Sequence, residues 1–123
     1  MVNIQSMRKR IVLLEDEKDI LEIIQFILEE EGYDVIAFNH YEPLEGIIEF
    51  QPKLILLDVR LTDGYGHLLC SQLKSNPTTA HIPVILVSGA SNLEKIAEEC
   101  GADCFLSKPF NMDDLIKLVK HYD

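Results

Sequence analysis

The stretch from Lys53 to Gly66, KLILLDVRLTDGYG, contains the most hydrophobic run of the chain and a charged residue directly after it. Four consecutive aliphatic residues, Leu54–Leu57, are typical of a strand that is buried on both faces of a sheet. The run ends abruptly on the carboxylate of Asp58. Because removing a lone charge from water costs several kcal/mol or more, an acid at the end of such a strand requires a specific reason.

Short apolar runs alternate with helical patterns five times along the chain. The predicted strands are Ile11–Leu14, Val35–Phe38, Leu54–Leu57, Val84–Val87 and Cys104–Leu106. Apolar residues at helical spacing predict five helices between and after them. These helices are centred on Ile20–Leu28, Leu44–Ile48, Leu68–Leu73, Leu93–Cys100 and Leu115–Val119. Gly32, Asn76-Pro77 and Gly101 are predicted to end the first, third and fourth helices.

Strict alternation of strand and helix predicts an α/β fold with right-handed crossovers. Five units favour an open, doubly wound parallel sheet of flavodoxin-like order 2-1-3-4-5, with helices on both faces, over a barrel, which needs eight. A chain of 123 residues suits one domain. We expect that domain to span residues 9–122, with residues 1–8 as a flexible leader or a remnant of cloning.

Charge and cysteine content restrict the function classes. The chain has 11 basic and 21 acidic residues, for a net charge of -10, so we expect no direct binding to nucleic acid or to anionic membranes. Its three cysteines form no CxxC motif and are odd in number, which indicates buried or idle thiols in a reducing compartment. The apolar run Ile11–Leu14 is too short for a signal peptide or a membrane span. These features predict a soluble, cytoplasmic protein.

Polar side chains follow four of the five predicted strands. Glu15 and Asp16 follow the first strand and Asp58 the third, while Ser88 and Lys108 follow the fourth and fifth. In the order 2-1-3-4-5, the first and third strands are neighbours, so the three acids converge on one crevice at the carboxyl edge. Three adjacent carboxylates favour a hard dication such as Mg²⁺, and the lysine and hydroxyl offer donors to an anion. This combination is typical of phosphoryl chemistry.

Each of these residues, taken singly, also has an ordinary structural explanation. Asp16 could cap the first helix, Ser88 and Asp58 could begin turns, and Lys108 could be a solvated surface residue. Their coincidence at four strand ends on one edge favours the functional interpretation.

The ordered motifs identify a resemblance to the receiver domains of two-component response regulators over about residues 9 to 122. They are VLLEDE, LILLDVRLTDGYG, VILVSGAS and FLSKPF, which contain, in order, Glu15 and Asp16, Asp58, Ser88, and Lys108 with Pro109. The resemblance implies that Asp58 accepts a phosphoryl group from a histidine kinase or a phosphotransfer protein.

The resemblance also implies roles for the surrounding residues. Glu15, Asp16 and Asp58, with the backbone carbonyl of Arg60, would hold Mg²⁺. Ser88 and Lys108 would bind the phosphoryl oxygens. Pro109 would follow a cis peptide bond. Phe105, three residues before the lysine, would swing inward on phosphorylation, although a buried strand could equally use it as a core residue.

The sequence departs from the family pattern near the acceptor. Thr62 stands where a proline is usual, and Leu61 replaces a common methionine. Arg60 is expected at the mouth of the site, where a hydrolytic water would pass, and Ala90 offers no polar group there. Arg60 and Ala90 are therefore expected to modulate the lifetime of the phosphorylated state.

Two other function classes share features with this sequence. A phosphohydrolase with an aspartyl nucleophile is the main alternative, but such enzymes commonly have a second acid two residues after the nucleophile, where Arg60 stands. A flavin carrier on this fold would need a hydroxyl-rich loop after the first strand to hold the phosphate, and this sequence lacks such a loop. We expect a switch rather than an enzyme, with at most slow Mg²⁺-dependent self-phosphorylation and dephosphorylation. Its output would pass to a downstream protein target or to an output domain outside this sequence.

Overall fold

The computed structural model describes residues 8–123, and its main feature is a five-stranded parallel sheet. The sheet strands are β1 (Arg10–Leu14), β2 (Asp34–Phe38), β3 (Leu54–Leu57), β6 (Val84–Ser88) and β7 (Cys104–Ser107), and a separate hairpin contributes β4 (Arg60–Leu61) and β5 (Gly64–Tyr65). The sheet order is β2-β1-β3-β6-β7. Counted by sheet strands alone, this is the predicted order 2-1-3-4-5, which is therefore confirmed.

Five helices connect the strands and cover both faces of the sheet. They are α1 (Lys18–Glu30), α2 (Leu44–Ile48), α3 (Gly66–Ser75), α4 (Leu93–Cys100) and α5 (Met112–Tyr122). Successive strand side chains point to opposite faces, so each buried strand contributes to two cores. Ile11, Leu13 and Leu56 pack with α1 and α5. Leu14 and Leu57 pack with α2, α3 and α4 on the other face.

The helix ends agree with the predicted stop signals. Gly32 follows α1 with φ 94°, and Gly101 caps α4 with φ 80°, a conformation that glycine adopts without a steric penalty. Helix α3 ends at Ser75, directly before Asn76-Pro77. The N-cap of α1 is Glu17 rather than Asp16, so helix capping does not account for Asp16.

The β4–β5 hairpin was not predicted from the sequence. It pairs Arg60 with Tyr65 and Leu61 with Gly64, antiparallel, and Asp63 takes a left-handed conformation with φ 69° in its turn. Two residues per strand are too few to produce a periodic hydrophobic pattern. The hairpin matters because it lies directly after Asp58 and fixes the surroundings of the candidate site.

The predicted leader, residues 1–8, falls almost entirely outside the described part of the chain, and the boundaries of the domain stay a prediction. Arg8 and Lys9 are exposed, and the first strand begins at Arg10. Across residues 8–123, no helix has the length and apolar content that crossing a bilayer would require. The thiols of Cys70, Cys100 and Cys104 are all free.

Candidate functional site

The carboxyl edge of the sheet brings four of the predicted residues side by side. Backbone hydrogen bonds continue one residue beyond the strands: the Asp58 N–H donates to the Leu14 carbonyl and the Lys108 N–H to the Ser88 carbonyl, each at 2.9 Å. The Glu15 N–H likewise donates to Phe38 at 3.0 Å. Sheet pairing therefore fixes the backbone positions from which Glu15, Asp58, Ser88 and Lys108 extend.

Lys108 joins the two buried carboxylates of the site. Its Nζ lies 2.9 Å from Glu15 Oε1 and 3.1 Å from Asp58 Oδ2. Glu15 is 1% exposed and Asp58 is 7% exposed, so both acids are largely removed from water. When both acids are ionised, one ammonium shared by two carboxylates leaves a net negative charge, which favours a further cation at this edge.

Burial and mutual contact shift the pKa values of Glu15 and Lys108. Desolvation raises the pKa of Glu15 to about 7, although its hydrogen bonds from Lys108 and from the Glu17 N–H act in the opposite direction. For Lys108, desolvation lowers the pKa, but the contacts with Glu15 and Asp58 outweigh it and the net shift is upward. Lys108 is therefore held firmly in its charged form.

Asp16 is exposed and is not gathered with the other two acids. Its Oδ1 accepts hydrogen bonds from the Thr62 N–H at 3.0 Å and from the Thr62 hydroxyl. Within residues 8–123, no three acidic, histidine or cysteine side chains come close enough together to hold a metal ion. The predicted cluster is thus only partly assembled: Lys108 unites Glu15 and Asp58, while Thr62 holds Asp16.

An open depression lies at this edge of the sheet, and the residues that line it indicate whether the site suits Mg²⁺. It has a volume of about 500 Å³, and Asp16, Asp58, Arg60, Ser88 and Lys108 are among the residues that line it. Asp16 and Asp58 line this open space, whereas Glu15 is buried and does not line it. Mg²⁺ is usually bound by one or two carboxylates and several waters. Asp16 and Asp58, completed by water ligands, form a donor set that fits the ion.

Ser88 and Ala90 also line the depression. Ser88 is 5% exposed, and its Oγ accepts a hydrogen bond from the Ala90 N–H at 3.2 Å. The hydroxyl proton of Ser88 remains available to donate to an anion in the depression. Ala90 places only a methyl group at the wall, as the sequence indicated.

Phe105 and Pro109 lie beside the site without lining it. Phe105 is half-buried and packs against the core that α3 and α4 cover, as a structural phenylalanine would. The peptide bond between Lys108 and Pro109 is cis.

Two contributors to the site carried little or no signal in the sequence pattern. A Cβ at Gly66 would lie 1.8 Å from the Asp58 carbonyl oxygen, so only glycine permits α3 to begin this close to the acceptor. Gly66 was visible only as part of the family motif LILLDVRLTDGYG, and Thr62 only as a departure from that pattern. The bonds of Thr62 to Asp16 depend on the fold of the hairpin. Periodicity and strand-end position detect neither role.

Comparisons with known proteins agree with this geometry. The family model described as "Response regulator receiver domain" matches residues 11–120. A CheY-like response regulator receiver domain protein from Methanospirillum hungatei JF-1 is 30% identical, with 93% of this chain and 92% of that chain covered and a TM-score of 0.79.

Two further solved structures extend the comparison. The signal receiver domain of a signal transduction histidine kinase from Syntrophus aciditrophicus is 32% identical, with 93% and 89% covered and a TM-score of 0.79. The Mn²⁺-bound form of response regulator Rcp1 is 28% identical, with 92% and 90% covered and a TM-score of 0.72. The chain therefore belongs to the response regulator receiver domains, the signalling modules that histidine kinases phosphorylate.

Proposed function

We propose that Asp58 is the residue that accepts the phosphoryl group, from a histidine kinase or from a phosphotransfer protein. The observation that carries this assignment is the position of Lys108, whose ammonium contacts Asp58 at 3.1 Å at the edge of an open depression. A phosphoryl group on Asp58 would meet that ammonium and the Ser88 hydroxyl at once.

The transfer requires little covalent chemistry from the protein. An Asp58 carboxylate oxygen attacks the phosphorus, the P–N bond of the donor phosphohistidine breaks, and its electron pair returns to the imidazole ring. The product on Asp58 is an acyl phosphate. Lys108 offsets the negative charge that gathers on the phosphoryl oxygens, and Ser88 donates a hydrogen bond to one of them.

A divalent cation completes the proposed site. Asp16, Asp58 and the backbone carbonyl of Arg60 would hold Mg²⁺, with Glu15 beneath them, and the ion would neutralise charge on the incoming phosphoryl group. The Mn²⁺-bound form of Rcp1 supports divalent metal binding on this fold.

The response to phosphorylation is proposed to begin at Ser88. The segment that follows it leads through Ala90 to the start of α4 at Leu93, so a hydrogen bond to the phosphoryl group would pull on this segment. Phe105 packs against the core beneath α4, and an inward movement of its ring would change the surface offered to a partner. Since Phe105 has no hydroxyl, this change would be transmitted by packing alone.

The remaining features of the proposal concern activity and partners. We expect slow Mg²⁺-dependent self-phosphorylation and dephosphorylation in the cytoplasm, and output through a downstream protein or an attached output domain. The alternative of an aspartyl phosphohydrolase is not favoured, because Arg60 occupies the position of the second acid and the family is one of signalling switches.

The acceptor assignment is tested by incubating the protein with acetyl phosphate and Mg²⁺ and measuring its intact mass. We expect one added phosphoryl group on the unmodified sequence and none on Asp58→Asn. The matched control is Asp63→Asn in the neighbouring turn, where asparagine tolerates the left-handed conformation. This control should still be phosphorylated. An adduct that persists on Asp58→Asn would refute the assignment.

A further inference from the structure

The two oxygens of the Asp16 carboxylate have different surroundings. Oδ1 accepts hydrogen bonds from the Thr62 N–H, at 3.0 Å, and from the Thr62 hydroxyl. Within residues 8–123 no hydrogen bond engages Oδ2, and Asp16 lines the open depression together with Asp58. Hydrogen bonds to a charged carboxylate are stronger than neutral ones, so the two donors restrict the orientation of Asp16. They leave its second oxygen available to a cation in the depression.

The hairpin that carries Thr62 is anchored to the rest of the fold. The Thr62 carbonyl accepts a hydrogen bond from the Tyr41 N–H at 2.9 Å. Leu61 is 7% exposed and packs in the core that α2, α3 and α4 cover. Gly64 lies so close to Tyr41 that a Cβ there would be 2.5 Å from the aromatic ring. Thr62 therefore presents its two donors from a position that the surrounding fold holds in place.

Asp16 depends on this contact more than the other acids of the site depend on theirs. It is exposed, and it lies between β1 and α1 without capping the helix. Glu15 and Asp58, by contrast, are buried and are held by Lys108. An exposed side chain without a partner loses rotamer freedom when it binds an ion, and this loss opposes binding. Because Thr62 already restricts Asp16 in the metal-free protein, less freedom remains to be lost.

We infer that Thr62 is a positioning residue that orients Asp16 toward Mg²⁺ and thereby raises the affinity of the site for the ion. This inference rests on the proposed function of Asp16 and Asp58 as metal ligands. The proline that is usual at this position in the family has neither an N–H nor a hydroxyl, so the departure at Thr62 adds two donors behind one ligand. Loss of hydrogen bonds that orient metal ligands typically costs about 10–100-fold in metal affinity.

The inference is tested by titrating Mg²⁺ into the metal-free protein by calorimetry. Thr62→Val removes the hydroxyl donor and keeps the N–H, and we expect it to bind Mg²⁺ about three- to tenfold more weakly. Thr62→Pro removes both donors and should bind more weakly still. The left-handed Asp63 that follows suits a proline at this position of the turn. Thr62→Ser keeps both donors and should restore the affinity of the unmodified sequence.

A matched control is available far from the site. Thr78 donates its N–H and its hydroxyl to Asn76 Oδ1 at 2.9 and 2.8 Å, which is the same arrangement in the connection between α3 and β6. Thr78→Val should leave Mg²⁺ affinity unchanged. Urea midpoints in metal-free buffer verify that each variant is folded, so a general loss of structure is not mistaken for a loss of metal binding.

Hydrogen exchange gives a second measurement on the unmodified protein. If Oδ1 keeps its bonds to Thr62 while Oδ2 takes the ion, saturating Mg²⁺ should slow exchange at the Thr62 amide or leave it unchanged. The Thr78 amide should exchange at the same rate with and without the ion. Faster exchange at Thr62 on adding Mg²⁺ would show that Asp16 leaves this contact to bind the metal, and it would overturn the inference.

The outcomes separate the role of Thr62 from the proposed metal site. If the unmodified protein binds Mg²⁺ and Asp58→Asn does not, but Thr62→Val and Thr62→Pro bind as tightly as the unmodified protein or more tightly, Thr62 does not orient Asp16 for the ion. Failure of the unmodified protein to bind Mg²⁺, or full binding by Asp58→Asn, would overturn the metal site and the role of Thr62 together.

Discussion

Glu15 is the most deeply buried acid in the site. It is 1% exposed, and desolvation raises its pKa from 4.5 to about 7. Between these two values the folded protein binds more protons than the unfolded chain. The free energy of unfolding must then fall as pH rises through this window, and the favourable contribution of protonated Glu15 is lost above about pH 7.

Replacing Glu15 by glutamine should remove this dependence. We expect the stability of Glu15→Gln relative to the unmodified protein to increase from pH 4.5 to 7.5, because the amide cannot ionise. Urea unfolding in metal-free buffer across that range measures the difference. Glu98→Gln, on the exposed side of α4, serves as the control. Its free energy of unfolding should change with pH in the same way as that of the unmodified protein. A constant difference for Glu15→Gln would show that Glu15 does not titrate in this window.

We expect Arg60 to lie where an attacking water would approach a phosphorylated Asp58. Its side chain is exposed and lines the same depression as Asp58, while both Glu15 oxygens are engaged by Lys108. The guanidinium is thus better placed for phosphoryl oxygens than for Glu15, one of the two partners expected from the sequence. A cation could also speed hydrolysis by stabilising the developing charge. Obstruction should prevail, because arginine cannot act as an acceptor that orients water.

We therefore predict that Arg60→Asn shortens the lifetime of the phosphorylated protein by a few-fold. The expected contribution of Arg60 to the activation free energy of hydrolysis is less than about 1.4 kcal/mol, which corresponds to less than a tenfold change in rate. Arg60→Lys retains a cation and should change the lifetime less. The measurement is the loss of the phosphoryl adduct by mass after the donor has been removed. Decay that is unchanged or slower in Arg60→Asn would contradict obstruction.

The connection from β3 to α3 is the element that shapes the site most closely. After Asp58 the chain forms the β4–β5 hairpin and returns to the start of α3, where the Gly66 N–H donates to the Val59 carbonyl at 2.7 Å. The first turn of α3 therefore lies against the backbone of the acceptor, and there is no room between them for a side chain.

Gly66→Ala should consequently be destabilising, by about 1–3 kcal/mol as for other overpacked sites, and should impair phosphorylation by shifting Asp58. Gly89→Ala provides a matched glycine at the same edge, since its nearest neighbour, Lys108 Cβ, would lie 4.0 Å from the new methyl group. We expect little change in the urea midpoint for Gly89→Ala. Equal midpoints for the two variants would show that the close approach at Gly66 can relax.

At the level of the entire protein, charge determines which partners can approach. The net charge of -10 leaves no general attraction for a phosphate backbone. The basic segment Arg8–Arg10 is partly neutralised, because Lys9 lies 3.5 Å from Asp123 and Arg10 lies 3.6 Å from Asp34.

We predict that the isolated chain does not bind duplex DNA measurably at physiological salt. An electrophoretic mobility assay at micromolar protein, with a basic protein as the positive control, measures this. A shift that weakens with added salt would contradict the prediction and direct attention to Arg8–Arg10.

The sequence was sufficient to predict the sheet and the edge at which the site lies. Apolar runs such as Leu54–Leu57 predicted the strands, and the alternation of strand and helix, with the rules for doubly wound sheets, predicted their order. The carboxyl ends of parallel strands meet at one edge, which is why the sequence placed Glu15, Asp58, Ser88 and Lys108 together.

The orientation of the side chains at that edge depended on contacts between distant segments. Asp16 is held by Thr62, 46 positions away, and Lys108 reaches Glu15, 93 positions away. Burial, which raises the pKa of Glu15, likewise results from packing of the assembled sheet and helices. The periodicity of hydrophobic residues is a local property of the chain, whereas hydrogen-bond partners and desolvation are properties of the folded molecule. The sequence pattern therefore located the site without determining its geometry.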